Sequence, residues 1–141
     1  MTTVLCTGTF DMLHAGHLNY FEQAKKLADT LVVIVARDTT VEKERKKKPV
    51  MNEQDRLKII QSLKIVDKAV LGNEHDKLKT VEKLKPGIIC LGYDQRVDES
   101  ELAQQLKTRG INAKIIRAKP YKETIYKSSI LKSHQCLSNN P

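Results

Sequence analysis

Short apolar runs alternate along the chain with longer segments of mixed polarity. Five of these runs predict buried β-strands, because they are short, apolar and bounded by polar or turn-forming residues. They lie at residues 4–6, 31–35, 67–71, 88–91 and 113–117. Strands that alternate with helices form a parallel sheet with right-handed crossovers. The expected fold is therefore α/β: a single Rossmann-like domain with a five-stranded parallel sheet and helices on both faces.

The segments between the strands predict the helices. In the first segment apolar residues recur at steps of three and four, at Leu18, Phe21, Ala24 and Ala28. Further helices are predicted from about residue 52, over residues 76–85 and 98–109, and from about residue 128. Residues 41–48 are polar, end at Pro49, and carry no helix prediction. No internal repeat or linker interrupts the pattern, so we expect one domain over residues 1–141.

Composition narrows the class of protein. Hydrophobic residues make up 40% and charged residues 30% of the 141 residues, as in ordinary globular proteins. No apolar run approaches the ~18–20 residues of a membrane helix, and the first residues lack a signal peptide pattern. We therefore expect a cytoplasmic location and no membrane partner. Cys6, Cys90 and Cys136 form no C-x-x-C pair, so neither a disulfide framework nor a zinc site is expected.

The net charge of +8 is unevenly distributed. Residues 1–106 are nearly balanced, whereas residues 107–141 hold eight basic residues and only Glu123 as an acid. Such a stretch attracts phosphate-bearing partners, although it could also be a solvated basic tail. A non-catalytic nucleic-acid-binding domain is one reading of this charge. Aromatic residues are only 4% of the chain and no nucleic-acid motif is present, so we expect no nucleic-acid partner.

The most informative segment joins the first strand to the first helix, at residues 7–17. In an α/β sheet this turn presents a phosphate site, because the helix N-terminus offers free N–H groups and a partial positive charge. Gly8 and Gly16 would let the backbone approach a ligand closely. His14 and His17, three residues apart, could direct two imidazoles at one phosphate chain.

Other readings of this turn exist. The two histidines could form a metal pair, but no neighbouring Cys, Asp or Glu supplies a third ligand at helical spacing, so no protein metal site is expected. Either histidine could instead cap or pack the helix. A dinucleotide site is excluded, since the G-x-G-x-x-G pattern is absent.

The sequence Gly8-Thr9-Phe10-Asp11-x-x-His14-x-Gly16-His17 resembles the signature of the nucleotidyltransferase superfamily of cytidylyltransferases and related adenylyltransferases. The resemblance covers nearly the whole chain. It implies that His14 and His17 are catalytic: they contact the triphosphate and stabilise the pentacoordinate transition state. It also implies that the turn as a whole binds the nucleotide, through Gly8, Thr9, Phe10, His14, Ala15, Gly16 and His17.

The loop after the fourth predicted strand distinguishes members of the superfamily. Leu91-Gly92-Tyr93-Asp94-Gln95 is similar to the archaeal FAD synthases, whereas cytidylyltransferases usually carry a tryptophan after that aspartate and this chain has no Trp. The resemblance implies transfer of AMP from ATP to FMN, a divalent metal such as Mg²⁺ bound through ATP, and a homodimer. The alternative is CTP-dependent cytidylyl transfer to glycerol 3-phosphate.

Residues outside the turn complete the predicted nucleotide site. Asp94 follows the fourth strand, where its carboxylate could accept hydrogen bonds from ribose or a base, or could merely close an Asx-turn. Tyr121 could stack on or hydrogen-bond the nucleotide. Ser128 and Ser129 match a hydroxyl-rich segment that contacts the triphosphate in the superfamily, although Ser128 could simply be a helix cap.

Two basic residues are candidates for binding the substrate phosphate. Arg56 resembles a family position that contacts phosphate, and Lys46 belongs to the basic run before Pro49. Alternatively, Arg56 is an exposed helix arginine and Lys46 part of a solvated run. No nucleophile–base pair is evident in the sequence. Adenylyl transfer to FMN needs none, because a phosphate monoester has a second pKa of ~6 and is largely dianionic at neutral pH.

Overall fold

The computed structural model describes residues 2–121. The five strands are β1 (Thr3–Gly8), β2 (Thr30–Val35), β3 (Lys68–Leu71), β4 (Ile88–Leu91) and β5 (Lys114–Arg117). The helices are α1 (Ala15–Lys25), α2 (Asp38–Arg45), α3 (Glu53–Gln61), α4 (Lys77–Leu84) and α5 (Glu99–Thr108). The strands form one sheet in the order β3-β2-β1-β4-β5, and every neighbouring pair is parallel. The predicted Rossmann-like α/β fold is confirmed.

Helices cover both faces of the sheet, as expected. On one face, Phe21 and Ala24 of α1 and Ile60 of α3 pack against Val4 and Val33 of the sheet. On the other face, the alternate strand residues meet the inward side chains of the last two helices: Leu5, Val32, Ile34, Ile89 and Leu91 pack with Val81 of α4 and Leu106 of α5. Successive strand residues point to opposite faces, so one uninterrupted apolar run serves both layers.

Asn and Asp side chains cap the starts of three helices. The side-chain oxygen Oδ1 of Asn52 accepts the N–H of Asp55 at 2.9 Å at the start of α3. The carboxylates of Asp76 and Asp98 cap α4 and α5 in the same way. Because Asn and Asp satisfy N–H groups that the first helical turn leaves free, these helices begin within a residue of where the sequence predicts.

Helix α2 was not predicted from the sequence. Only Val41 of its eight residues is buried, so the segment has no apolar stripe by which its periodicity could be recognised. The helix ends at Lys46, whose φ of 58° places it in the left-handed region. The basic run that follows is exposed.

The topology places a crevice beside β1. The chain runs from β1 outward through β2 and β3, then crosses back to β4 on the other side of β1. Cys6 of β1 lies directly opposite Cys90 of β4. At such a switch point the loops leaving the two strands diverge, and ligands bind in the space between them. Within the described residues, no helix has the length and apolar character to cross a membrane.

Candidate active site

The turn after β1 is held in an unusual conformation. Phe10 and Met12 have φ values of 55° and 66°, in the left-handed region that residues other than glycine rarely adopt. The buried carboxylate of Asp11 fixes the turn by accepting the N–H groups of Val50 at 2.7 Å and Met51 at 3.0 Å. Asp11 therefore ties the turn to the segment that follows the basic run.

Gly8 and Phe10 fit one another within this turn. A Cβ at Gly8 would lie 2.7 Å from Cζ of Phe10, so only glycine leaves room for the ring. The ring is buried against Phe21 and meets the edge of the His17 ring at a centroid distance of 5.6 Å. The structure thus gives both residues a packing role beneath His17 that the sequence prediction did not include.

His14 and His17 cap the start of α1 reciprocally. Nδ1 of His14 accepts the N–H of Gly16 at 3.0 Å, and Nδ1 of His17 accepts the N–H of His14 at 3.2 Å. Their ring centroids are 4.1 Å apart. A neutral imidazole whose Nδ1 accepts a hydrogen bond carries its proton on Nε2. Both rings therefore carry their proton on Nε2 at the start of the helix.

The environment keeps both rings neutral. Burial, together with the charge of His14, lowers the pKa of His17 to about 3. Burial also lowers the pKa of His14, although the carboxylate of Asp94 opposes that shift. The charge of Asp94 acts on His14, so this exposed carboxylate lies near the histidine turn. Near pH 7 the histidines act as hydrogen-bond donors rather than as cations.

Two residues that the sequence analysis did not select organise the loop at residues 92–98. The side chain of Gln95 accepts the N–H of Gly92 at 2.6 Å and donates to the carbonyl oxygen of Thr7 at 3.2 Å. The guanidinium of Arg117 donates to the carbonyl oxygens of Gly92, Gln95 and Val97 at 2.9–3.1 Å. The position of Arg117 at the end of β5 could have indicated its nearness to this loop, but its partners are set by tertiary structure.

Arg56 does not occupy the position predicted for it. Its side chain is fully buried, and it donates to the carbonyl oxygens of Met51, Thr9 and Ala36 at 2.8–2.9 Å and to the carboxylate of Asp38 at 2.6 Å. A guanidinium with no exposed surface does not touch a substrate phosphate. This corrects the sequence prediction: Arg56 supports the loops of the site from within.

The remaining predicted residues lie on several elements. Thr9 and Gly16 are half-buried in the turn and first helix, as is Ala15, and Lys46 is exposed at the end of α2. Tyr121 is half-buried, two residues after Lys119, whose N–H and carbonyl group pair with the side chain of Gln23. Ser128 and Ser129 lie outside the described residues. Across residues 2–121, no group of three His, Cys, Asp or Glu could hold a metal ion.

Comparison with known proteins agrees with this geometry. The family model described as cytidylyltransferase-like matches residues 5–134. The chain belongs to the cytidylyltransferase-like family. The FAD synthase of Archaeoglobus profundus is 49% identical over 129 residues, covering 92% of this chain and 82% of the relative. The FAD synthase of Methanothermus fervidus is 54% identical over 123 residues, covering 85% and 84%.

Among solved structures, the "lipopolysaccharide core biosynthesis protein" of Thermoplasma volcanium is similar to the chain with a TM-score of 0.83 and 49% identity. The match covers 86% of this chain and 99% of that one. A pantoate–β-alanine ligase of Francisella tularensis shares the fold alone, with a TM-score of 0.60 and 20% identity over 94% of this chain and 65% of that one.

Proposed function

We propose that this member of the family is an FMN adenylyltransferase, which transfers AMP from ATP to FMN and yields FAD and pyrophosphate. The observation that carries the reaction class is the pair of histidines at the start of α1, whose Nδ1 atoms close the first turn of the helix and whose ring centroids lie 4.1 Å apart. The choice of ATP and FMN is supported by FAD synthase relatives about half identical to the chain over most of its length.

In this reaction an oxygen of the FMN phosphate attacks the α-phosphorus of ATP. A phosphorus–oxygen bond forms to FMN as the bond to the bridging oxygen between the α- and β-phosphates breaks, and pyrophosphate leaves. The attacking phosphate is already largely dianionic at neutral pH, so the site needs to position two anions rather than remove a proton. Donors fixed before the reaction are effective for this purpose, because they need no reorganisation as charge moves.

The donor set suits a divalent metal that arrives with ATP. Both oxygens of Asp11 are engaged by backbone N–H groups, and Asp94 is an exposed carboxylate whose charge acts on His14. Mg²⁺ prefers phosphate and water oxygens to a cage of protein ligands. We therefore propose that triphosphate oxygens hold the ion, which would offset the repulsion between the two substrates.

Other predicted contacts remain part of the proposal. Asp94 and Tyr121 would bind the nucleoside of ATP, Ser128 and Ser129 its phosphates, and Lys46 the phosphate of FMN. Lys46 is supported by its exposure in the basic run beside the anchored residues Val50 and Met51. We also propose that the enzyme acts as a homodimer in the cytoplasm.

The test compares two nucleotides in combination with three acceptors. The protein is incubated with Mg²⁺ and either ATP or CTP, in combination with FMN, riboflavin or glycerol 3-phosphate, and pyrophosphate and product are followed. We expect FAD and pyrophosphate only from the combination of ATP with FMN. Faster turnover of CTP with glycerol 3-phosphate would establish the cytidylyltransferase alternative instead. The His14→Ala variant in the same mixtures is the negative control.

A further inference from the structure

The side chain of Gln95 joins the two strands that flank the crevice. Its Oε1 accepts the N–H of Gly92, the first residue after β4, at 2.6 Å. Its Nε2 donates to both the carbonyl oxygen and Oγ1 of Thr7, near the end of β1, at 3.2 and 3.3 Å. One amide group therefore connects the loop at residues 92–98 with the strand that leads into the histidine turn.

Backbone contacts hold the rest of this loop to the same point. The N–H of Gln95 donates to the carbonyl oxygen of Gly92, and the N–H of Val97 donates to that of Gln95. Arg117 then donates to the carbonyl oxygens of Gly92, Gln95 and Val97. Residue 94 thus lies between Gly92 and Gln95, whose carbonyl oxygens both accept hydrogen bonds from Arg117 at the end of β5.

The Gln95 side chain also lies against the backbone of Gly92. A Cβ at Gly92 would lie 3.4 Å from Cγ of Gln95 and 3.5 Å from its Oε1, which is ordinary contact. The Gln95 side chain therefore packs over Gly92 as well as bonding to it. A side chain that both packs against Gly92 and hydrogen-bonds to Gly92 and Thr7 restricts the loop.

We propose that Gln95 is a positioning residue, which holds the backbone of residue 94 against β1 so that the Asp94 carboxylate faces His14 and receives the nucleoside of ATP. The inference deepens the proposed function, since it concerns ATP binding at that site. Gln95 acts through Asp94, so its loss weakens the binding of ATP more than the binding of FMN.

This role predicts a split between kinetic constants. Without the amide of Gln95 the loop is no longer held in place, and Asp94 is not fixed before ATP binds. Part of the free energy of ATP binding is then used to order the loop. The Gln95→Met variant, which keeps the volume of the side chain and removes its amide, should raise KM for ATP about tenfold. Its kcat and its KM for FMN should stay within about twofold, because the histidine turn has its own anchors at Asp11 and Arg56.

A double-mutant cycle with Asp94→Asn separates positioning from general destabilisation. KM for ATP is measured in the parent, in each single variant and in the double variant, with Gln104→Met of α5 as the matched exposed control. If Gln95 acts through Asp94, adding Gln95→Met to Asp94→Asn changes KM less than twofold. Full additivity of the two effects would overturn the proposal.

Two further measurements do not depend on turnover. Calorimetry with a non-hydrolysable ATP analogue should show weaker binding to Gln95→Met, by about the same factor as KM. The pKa of His14, followed by NMR, should fall both in Asp94→Asn, which removes the carboxylate charge, and in Gln95→Met, in which the carboxylate is no longer held near His14. Unchanged binding or an unchanged His14 pKa would refute the positioning role. If the parent binds the analogue but makes no FAD, the proposed function fails while this inference is still tested.

Discussion

Each histidine of the turn uses Nδ1 to close the first turn of α1. In the proposed reaction the imidazoles also donate to the substrate phosphates. His14→Ala and His17→Ala should each lower kcat by roughly 10²–10³, the scale for removing one fixed transition-state donor. Steady-state kinetics on folded protein measures this, with the exposed His75→Ala as control. Near-normal rates in both variants would reduce the pair to helix caps.

The depressed pKa of His17 also makes stability depend on pH. The pKa is about 3 in the folded protein and ordinarily 6.5, so between these values the unfolded chain binds more protons. Stability is therefore full above about pH 6.5 and is lost as pH falls toward 3, with a slope of up to about 1.4 kcal/mol per pH unit for one proton. Urea unfolding from pH 7 to 4 should show this loss, and His17→Gln should reduce it. An equal slope in His17→Gln would mean that other groups are responsible.

At the scale of elements, the turn after β1 requires a glycine at position 8, next to the ring of Phe10. In Gly8→Ala the new Cβ would meet the Phe10 ring at 2.7 Å, and the ring, which supports His17, must shift. We expect a loss of about 1–3 kcal/mol in the free energy of unfolding, as for other overpacked cores, together with a lower kcat. Gly87→Ala is the matched control, because its Cβ would make only an ordinary 3.5 Å contact with Thr2. Equal effects in denaturant unfolding would contradict this account.

Arg56 connects three loops at the carboxyl edge of the sheet. Its guanidinium bonds Thr9 after β1, Ala36 after β2, and Met51 before α3. Arg56→Met leaves those carbonyl groups and Asp38 without their donor, and we expect a loss of about 3–5 kcal/mol in unfolding free energy. Thermal unfolding of this variant is compared with the exposed Arg45→Met. A residue that only bound substrate phosphate would instead leave the melting temperature unchanged and raise KM for FMN.

The contrast between Arg56 and the strands shows what the sequence could predict. Apolar runs and capping residues act locally, so the strands, four helices and the placement of His14 and Asp94 follow from the chain itself. The side chain of Arg56 is buried by loops distant in sequence, and helix α2 rests on a single buried residue, Val41. Neither leaves a periodic pattern. The Gln95 contacts with Thr7 likewise span 88 positions and depend on strand order.

For the molecule as a whole, the position of the positive charge matters more than its amount. Part of the basic excess after residue 106 is neutralised internally: Arg109 pairs with Asp76 and Glu82, and Arg117 pairs with Glu99. The run at residues 46–48 is exposed, and Asp11 anchors the segment just after it to the histidine turn. This run is therefore well placed to attract the phosphates of incoming substrates.

Salt should accordingly affect capture of FMN more than the chemical step. Exposed charges act over a Debye length of about 8 Å at 0.15 M ionic strength, whereas donors within the site are screened less. We expect kcat/KM for FMN to fall as salt rises, with a smaller change in kcat. Lys47→Glu should lower kcat/KM at low salt and flatten its salt dependence. Lys83→Glu, on the last turn of α4 and so at the opposite edge of the sheet, should do neither. A salt-independent kcat/KM, or the same response in both variants, would show that the basic run does not guide the substrate.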